Sequence, residues 1–347
     1  MSKKQIIFWI GSILLSILLL YLFLRDAHLA DVWRELKNVS IPLVALAVCG
    51  EIVSILFRSY RWGILLKPVQ KHVRFSSLLK ATNLSFTLSG LFPGRIGEVA
   101  RPFLLSRWEN MPFGPVLASV MLERGMDLFA IVALWFVFVF FGSSGLPVKA
   151  HETMRIVSDA SWPLLVLCVA AMVFMWWLAP RRKVLQRWSR RSEKLRRYPL
   201  VKKVLNFFFR FAEGLGSFRK KRMILFITFL SLMVWLPVAF TAGVVLSALK
   251  LPLPWGASLL LLTFVSLGAV IPTPGGVGGV HKAIQMALII FYFVSEDAAV
   301  SAGILCHAAM FFPGILWGLG YLVAGRVSLS ELRQATRESG HLNNQER

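Results

Sequence analysis

Gly94–Arg107 reads GRIGEVARPFLLSR, and Pro272–Gly279 reads PTPGGVGG. Each interrupts a long apolar region with charge or with helix breakers. Lipid offers no hydrogen bonds, so irregular backbone at membrane depth persists only where protein or a wet cavity surrounds it. Ionisable side chains at that depth are costly and mark function by default. These two interruptions divide an otherwise simple series of apolar helices and decide how the chain is threaded.

Working outward, the composition sets the class. Of 347 residues, 56% are hydrophobic and 16% are charged, with 27 Phe, 12 Trp and a mean hydropathy of +0.66. This describes an integral membrane protein and excludes an ordinary soluble enzyme. Cys49, Cys168 and Cys306 all fall in apolar runs and read as small buried hydrophobes, not as a disulfide framework or a metal site. After MSKK, Ile6–Leu24 carries no charge and is followed by no small-residue cleavage signal. It reads as a retained span and not as a removable signal peptide.

Further apolar segments run Ile41–Phe57, Phe75–Trp108 (broken), Pro115–Phe141, Ser161–Leu178, Met223–Leu249, Trp255–Val294 (broken) and Ala298–Gly325. Residues 181–222 hold 16 of the 39 Lys and Arg residues against Glu193 and Glu213 alone, and Arg58–Arg74 holds five basic residues and no acid. The loops Arg25–Ser40 and Gly142–Ala160 are near neutral. Basic loops stay in the cytoplasm, so both termini are expected there and the neutral loops outside.

The count closes only if Phe75–Trp108 enters and leaves on one side. Phe75–Leu91 would make about 25 Å of helix at 1.5 Å per residue, and it carries Lys80, Asn83, Ser85, Thr87 and Ser89. The helix after Pro93-Gly94 is too short to cross a core of about 30 Å. Trp255–Ile271 and His281–Val294 form a similar pair, entering from the opposite side. The expected fold is therefore all-α: a polytopic transmembrane bundle of about six full spans plus two re-entrant, broken hairpins in an inverted arrangement, as in many transporters. Two ordinary thin helical hairpins are the plainer alternative. Residues 1–325 are expected to form one integral membrane domain, with residues 326–347 as a short polar tail.

The intramembrane charges form the first candidate site. Arg95, Glu98 and Arg101 are spaced three apart and make one stripe on a helix. Glu123 and Asp127 are four apart and share a face, with Arg124 beside them. Glu51, Arg58 and Arg61 extend the set as secondary candidates. One reading is paired ions that fix helix packing. The other is a headgroup site, because arginine forks match phosphate and acids can take an amine or a proton.

Gly275, Gly276, Gly278 and Gly279 form the second candidate. The prolines end the incoming helix and the glycines permit positive φ. The helix opening near Val280 has free N–H groups suited to an anion; a tight packing turn is the alternative. His281 and His307 read as hydrogen-bonded fillers or as a proton relay. In the basic loop, Leu200, Val201, Val204, Leu205, Phe208, Phe211 and Leu215 fall at helical spacing, with Lys202, Lys203 and Arg210 on another side. That is an interfacial helix on an anionic leaflet. Nucleic acid is not an expected partner. No P-loop, zinc spacing or nucleophile elbow occurs, and neither cofactor nor metal is expected.

Gly94-Arg95-Ile96-Gly97-Glu98-Val99 with Arg101 and Leu104-Leu105, then Glu123-Arg124 with Asp127, then Pro272–Gly278, in that order, resemble the lysylphosphatidylglycerol synthase transmembrane (flippase-like) family. The resemblance runs from about Ile41 to Gly325. It implies a multi-pass bacterial or archaeal membrane protein, with some members resembling the translocase half of aminoacyl-phosphatidylglycerol synthases. Two departures stand out. His281 lies where the family often has Glu, and the chain ends at Arg347 with no aminoacyltransferase domain expected.

The expectation is a translocase of the bacterial inner membrane and not an enzyme. It would move or expose a phospholipid or lipid-linked headgroup, with membrane lipids of anionic headgroup and a lipid-modifying enzyme as partners. A membrane-embedded enzyme using Glu98, Glu123 or Asp127 as acid or base, and a scaffold for envelope-lipid synthesis, are the alternatives. Single-cysteine labelling, in a chain lacking Cys49, Cys168 and Cys306, should place position 192 in the cytoplasm and position 144 outside. Labelling of Ser192→Cys from outside only would overturn the orientation.

Overall fold

The computed structural model describes residues 3–93, 95–178 and 221–325. Among them the chain is helical without strands. In order, the α-helices are α1 Lys3–Leu24, α2 Leu29–Lys37, α3 Ile41–Leu66, α4 Phe75–Leu91, α5 Ile96–Trp108, α6 Phe113–Val137, α7 His151–Leu178, α8 Lys221–Ala248, α9 Gly256–Gly268, α10 Gly279–Tyr292 and α11 Glu296–Val323. Six helices are long and apolar enough to cross a membrane, namely α1, α3, α6, α7, α8 and α11. These are the six spans read from the sequence. The tail at 326–347, and the basic loop at 181–222 but for the residues that open α8, lie outside the described residues.

Several boundaries differ from expectation. α3 continues past Phe57 to Leu66, because Arg58 and Arg61 point inward and are neutralised there. α7 begins at His151 instead of Ser161; its polar first turns are helical, with Glu152 complementing the helix N-terminus. α9 stops at Gly268, short of Ile271. Pro272 disfavours helical backbone just before it, and the chain tightens through Val270 N–H to Leu267 O and Ile271 N–H to Gly268 O. α2 lies in the first neutral loop and was not expected. It buries Val32 against Phe23 and Val300, and leaves Leu29 and Trp33 exposed.

α3 and α8 form the most extensive helix pair. The start of α3 lies beside the end of α8, where Ser40 N–H donates to Ala248 O at 3.3 Å, and Thr241 Oγ1 donates to Ala47 O at 2.9 Å. The largest apolar cluster joins α6, α8, α9, α10 and α11 around residues such as Phe138, Leu260, Leu288 and Phe291.

Each broken segment folds as two helices running back alongside each other. Arg74, before α4, pairs with Glu109, after α5, at 2.8 Å, and its Nη2 donates to Trp108 O at 3.2 Å. Gly268 and Gly279 meet at the inner ends of α9 and α10, and Phe264 packs on Phe291 at 5.8 Å between ring centres. The two breaks touch. Gly275 lies against Gly90, and Arg95 donates to Ala269 O. α1 runs across the second break, where Ser12 donates to Pro272 O and Ser16 Oγ to Val277 O at 2.9 Å. Farther along, Lys282 Nζ donates to Leu22 O and Gln285 Nε2 to Phe23 O, at 2.9 and 3.1 Å.

α4 and α5 approach so closely at Gly97 that a Cβ there would collide with the Ser85 carbonyl. Backbone cannot swing away as a side chain can. Gly97→Ala should therefore destabilise the protein by about 1–3 kcal/mol, read as a lower melting temperature in detergent. An unchanged melting curve would refute this contact.

Candidate functional site

The site begins with two helices placing opposite charges at matching depth. α3 carries Arg58 and Arg61, three apart. α6 carries Glu123 and Asp127, four apart. Both spacings keep the side chains on one face. Arg61 is fully buried. It reaches Asp127 Oδ1 at 2.7 Å and Glu123 Oε1 at 3.1 Å through Nη2, and its Nη1 donates to Ser231 Oγ at 2.9 Å. Arg58 pairs with Asp127 at 3.1 Å and lies 3.9 Å from Glu123. Trp235 Nε1 on α8 adds a hydrogen bond to Asp127 Oδ1 at 3.0 Å. α3 and α8 thus converge on two acids of α6.

Arg101 enters from α5. It is 3% exposed, pairs with Glu123 Oε2 at 3.1 Å and lies 3.8 Å over the Trp62 ring. Its Nε and Nη2 are buried and meet no acceptor among the described residues. A buried donor left unmade costs about 1–3 kcal/mol, more when charged. Arginines Arg58, Arg61, Arg101 and Arg124 surround only Glu123 and Asp127, with Glu98 at the margin. The centre therefore carries excess positive charge and unused donors, which is the chemistry of an anion site.

A second set of ions leads outward. Arg124 pairs with Asp127 at 3.1 Å and with Glu123 at 3.5 Å, and lies 3.8 Å from Glu98. Glu98 pairs with Arg95 at 3.4 Å, and Arg95 donates to Ala269 O. Side-chain exposure along this series is 35% at Arg124, 31% at Glu98 and 46% at Arg95, so it forms an accessible edge. The expected single stripe of Arg95, Glu98 and Arg101 is corrected here. Arg95 precedes the helix in the left-handed region (φ 52°), which turns it to the second break, while Arg101 faces α3 and α6.

The glycines are not gathered with the arginines. Gly275 (φ 60°) and Gly278 (φ 83°) hold backbone that L side chains rarely adopt. Gly278 lies against Ser16, Leu19 and Leu20 of α1, Gly279 against Gly268, and Gly276 against Val280 and Phe311. The start of α10 is thus packed on α1, and Gly278 N–H is taken by His281 Nδ1 at 3.4 Å. His281 and His307 lie 4.3 Å apart and are both buried, with His307 Nε2 at 2.8 Å from Gly275 O. Here the packed-turn reading describes the geometry.

Glu51 is buried on α3, two turns before Arg58, and takes part in no ion pair among the described residues. Sequence reading missed Ser231 and Trp235, since a serine or tryptophan in an uncharged span carries no distinguishing pattern, and Trp62, which lies in the stretch Arg58–Arg74 read as a basic loop. It also missed a group with metal-ligand spacing, His28, Asp31 and Asp297; His28 is exposed, the two acids are half-buried, and all are already engaged, His28 N–H to Asp297 and Asp31 to Arg34.

With this arrangement in hand, likeness to known proteins is informative. The family described as the lysylphosphatidylglycerol synthase TM region matches residues 9–318. The chain belongs to this family. It is also similar to a protein named glycosyltransferase AglD from Haloferax volcanii, at 25% identity over 97% of this chain and 57% of that protein. A second relative is UPF0104 membrane protein MJ1078 from Methanocaldococcus jannaschii, at 24% identity over 67% of this chain and 91% of that protein. The chain thus spans little more than half of the first relative. The expectation that it is not an enzyme is corrected by this likeness, because a relative named as a glycosyltransferase matches nearly the whole chain.

Removing one member of a buried ion set leaves its partners uncompensated, at about 3–5 kcal/mol. Arg61→Ala should therefore deplete folded protein from the membrane. Arg95→Ala, at the exposed edge, should change stability by about 1 kcal/mol or less. Thermal melting of both variants, monitored by size-exclusion chromatography, checks the contrast. Equal losses would contradict the division into a buried centre and an exposed edge.

Proposed function

We propose that this chain binds the phosphate-bearing headgroup of a membrane lipid and moves or exposes it across the bilayer. Arg101 carries this reading: a buried guanidinium with two unmatched donors, in a centre with excess positive charge. The edge formed by Arg124, Glu98 and Arg95 connects that centre to the junction of the two broken segments. A headgroup would enter along the edge and exchange its water for arginine forks, while its acyl chains stay in lipid. Membership of a lipid-related family supports membrane lipids as partners, and the likeness to a named glycosyltransferase favours a lipid-linked sugar phosphate within this class.

The two hairpins fit the mechanism as re-entrant elements from opposite sides. The Arg74–Glu109 pair holds the ends of the first together, and the close approach of Gly90 and Gly275 joins the two tips. In such inverted repeats the site lies where the broken helices meet.

The glycosyltransferase relative also favours a second reading, in which headgroup chemistry occurs here. Glu123 and Asp127 are locked by arginines, so Glu98, on the accessible edge, would act as acid or base.

Purified protein in vesicles containing a fluorescent anionic phospholipid or a polyprenyl-phosphate sugar separates these readings. Movement changes leaflet distribution, and chemistry changes lipid mass. Arg101→Gln should slow movement at least about ten-fold, the loss of one charged hydrogen-bonding partner. Gln keeps a polar side chain of reduced length at this position and Glu123 keeps Arg61 and Arg124, so the loss of stability should be smaller than for Arg61→Ala. Unchanged movement and unchanged lipid mass in a folded Arg101→Gln protein would remove the arginine centre from function.

A further inference from the structure

One buried acid has no role in the ion network. Glu51 lies on α3, 7% exposed, in the middle of a membrane span. No ion pair or side-chain hydrogen bond reaches it among the described residues. Three residues on, the hydroxyl of Ser54 is buried with no partner among the described residues. Four residues beyond is Arg58. Residues 51, 54 and 58 share one helical face, so α3 continues the polar face of the arginine centre by two turns.

No counter-charge comes from the helices packed on α3. Between Met223 and Ala248, α8 has no titratable residue. On α4, Lys80 lies over the Trp108 ring. On α6, Glu123, Arg124 and Asp127 pair with one another and with Arg58, Arg61 and Arg101. On α11, Glu296 accepts from Gln285, Asp297 binds His28 and His307 reaches Gly275 O; Cys306 is buried among apolar residues and Tyr321 lies near the other end of the helix. On α3 itself Tyr60 and Cys49 are exposed, and Arg61 is taken. An ionised carboxylate isolated in this way is strongly disfavoured and takes up a proton instead.

Arg58 is the arginine placed to respond. If it left the centre, Asp127 would keep Arg61 at 2.7 Å, Arg124 at 3.1 Å and the Trp235 hydrogen bond, and Glu123 would keep Arg61, Arg101 and Arg124. Arg side chains on a helix lean toward its N-terminus, here toward Ser54 and Glu51. The Trp235 and Phe86 rings lie 5.2 and 6.0 Å from the guanidinium, apolar and cation-binding walls for such a shift.

We infer that Glu51 is a proton-binding site, coupled through Arg58 to the anion centre, so that headgroup movement responds to a proton gradient. Glu51 is neutral while Arg58 sits at Asp127. Release of its proton creates a carboxylate that draws Arg58 along α3, with Ser54 donating to it on the way, and this empties one cation from the headgroup site. The proton site stands on Glu51 alone. Its coupling to lipid rests on the function proposed above.

Two measurements separate these parts. Infrared difference spectra of the whole protein in phosphatidylcholine vesicles should show a protonated carboxyl band at neutral pH that Glu51→Gln removes and Glu51→Asp shifts. If wild type and Glu51→Gln share the same carboxyl bands at every pH, the proton site is refuted, whatever the lipid assay gives. In the transport assay, one coupled proton shifts the leaflet distribution by up to about ten-fold per pH unit of imposed gradient. Glu51→Gln should lose this dependence while still moving lipid. Gradient-independent movement by the wild type overturns the coupling. A wild type that moves no lipid at all overturns the proposed function together with the coupling, and leaves the infrared result to decide Glu51.

Discussion

The arrangement of α3, α5, α6 and α8 depends on neutralising Arg61. This guanidinium is fully buried, on a helix long and apolar enough to cross a membrane, where an unpaired charge is costly. Two acids on α6 and a hydroxyl on α8 meet it, at distances of 2.7 to 3.1 Å. That requirement sets the rotation of α3, because Arg58 and Trp62 follow from it. It sets the rotation of α6, because Glu123 and Asp127 must both face inward. Arg101 then has one place to go, over Trp62 and against Glu123. Apolar packing in a bilayer discriminates weakly between helix rotations, since lipid tails are as apolar as leucine. Fixed charges discriminate strongly.

The second constraint is backbone satisfaction where the helices break. Polar side chains and carbonyls answer it. Ser12 and Ser16 of α1 donate to Pro272 and Val277, and Arg95 donates to Ala269. Thr87 on α4 donates to Ile315 on α11 at 2.9 Å. α1 therefore acts as more than a hydrophobic anchor, because carbonyls of the second break depend on its hydroxyls. Ser12, Ser16 and Thr87, which look out of place in membrane helices, serve the backbone of neighbouring segments, while Thr82 and Asn83 bond to carbonyls of α4 itself.

Much of this was legible in the sequence because bilayer physics narrows the choices. Length and hydropathy gave the six spans, and the pairing of shorter helices about Pro93 and Pro272 followed from breakers inside apolar runs. The acids Glu123 and Asp127 could be put on one face by spacing alone. Their partners could not be ranked that way. Arg58 and Arg61 could be put in the cluster only as secondary candidates, and the helix that carries them was ended at Phe57, because hydropathy counts an arginine as polar whether or not an acid awaits it on another helix. Arg95 looked like part of a stripe, because spacing assumes helical backbone and the chain at Arg95 is left-handed. The glycine turn could be read as an anion site or as a packed turn, because nothing local announces that α1 lies across it. Each miss came from tertiary contact overriding a local pattern.

The two readings that the sequence left open for the charges, packing ions or a ligand site, divide along a gradient of exposure. At the inner end, Arg61 and Glu123 have no exposed surface, and each is held by partners on other helices. Such ions fix geometry and are too tightly held to exchange with a passing headgroup. At the outer end, Arg124, Glu98 and Arg95 are each about a third to a half exposed, and are joined by pairs of 3.4 and 3.8 Å that are weak in a wet environment. Arg101 stands between these ends, buried like a packing ion but with donors unspent. A rigid inner set keeps those donors aimed, and a loose outer set can part to admit an anion to them. In the proposed function the structural ions are therefore a precondition for the ligand site: without the first, the guanidinium of Arg101 would turn to find an acceptor of its own.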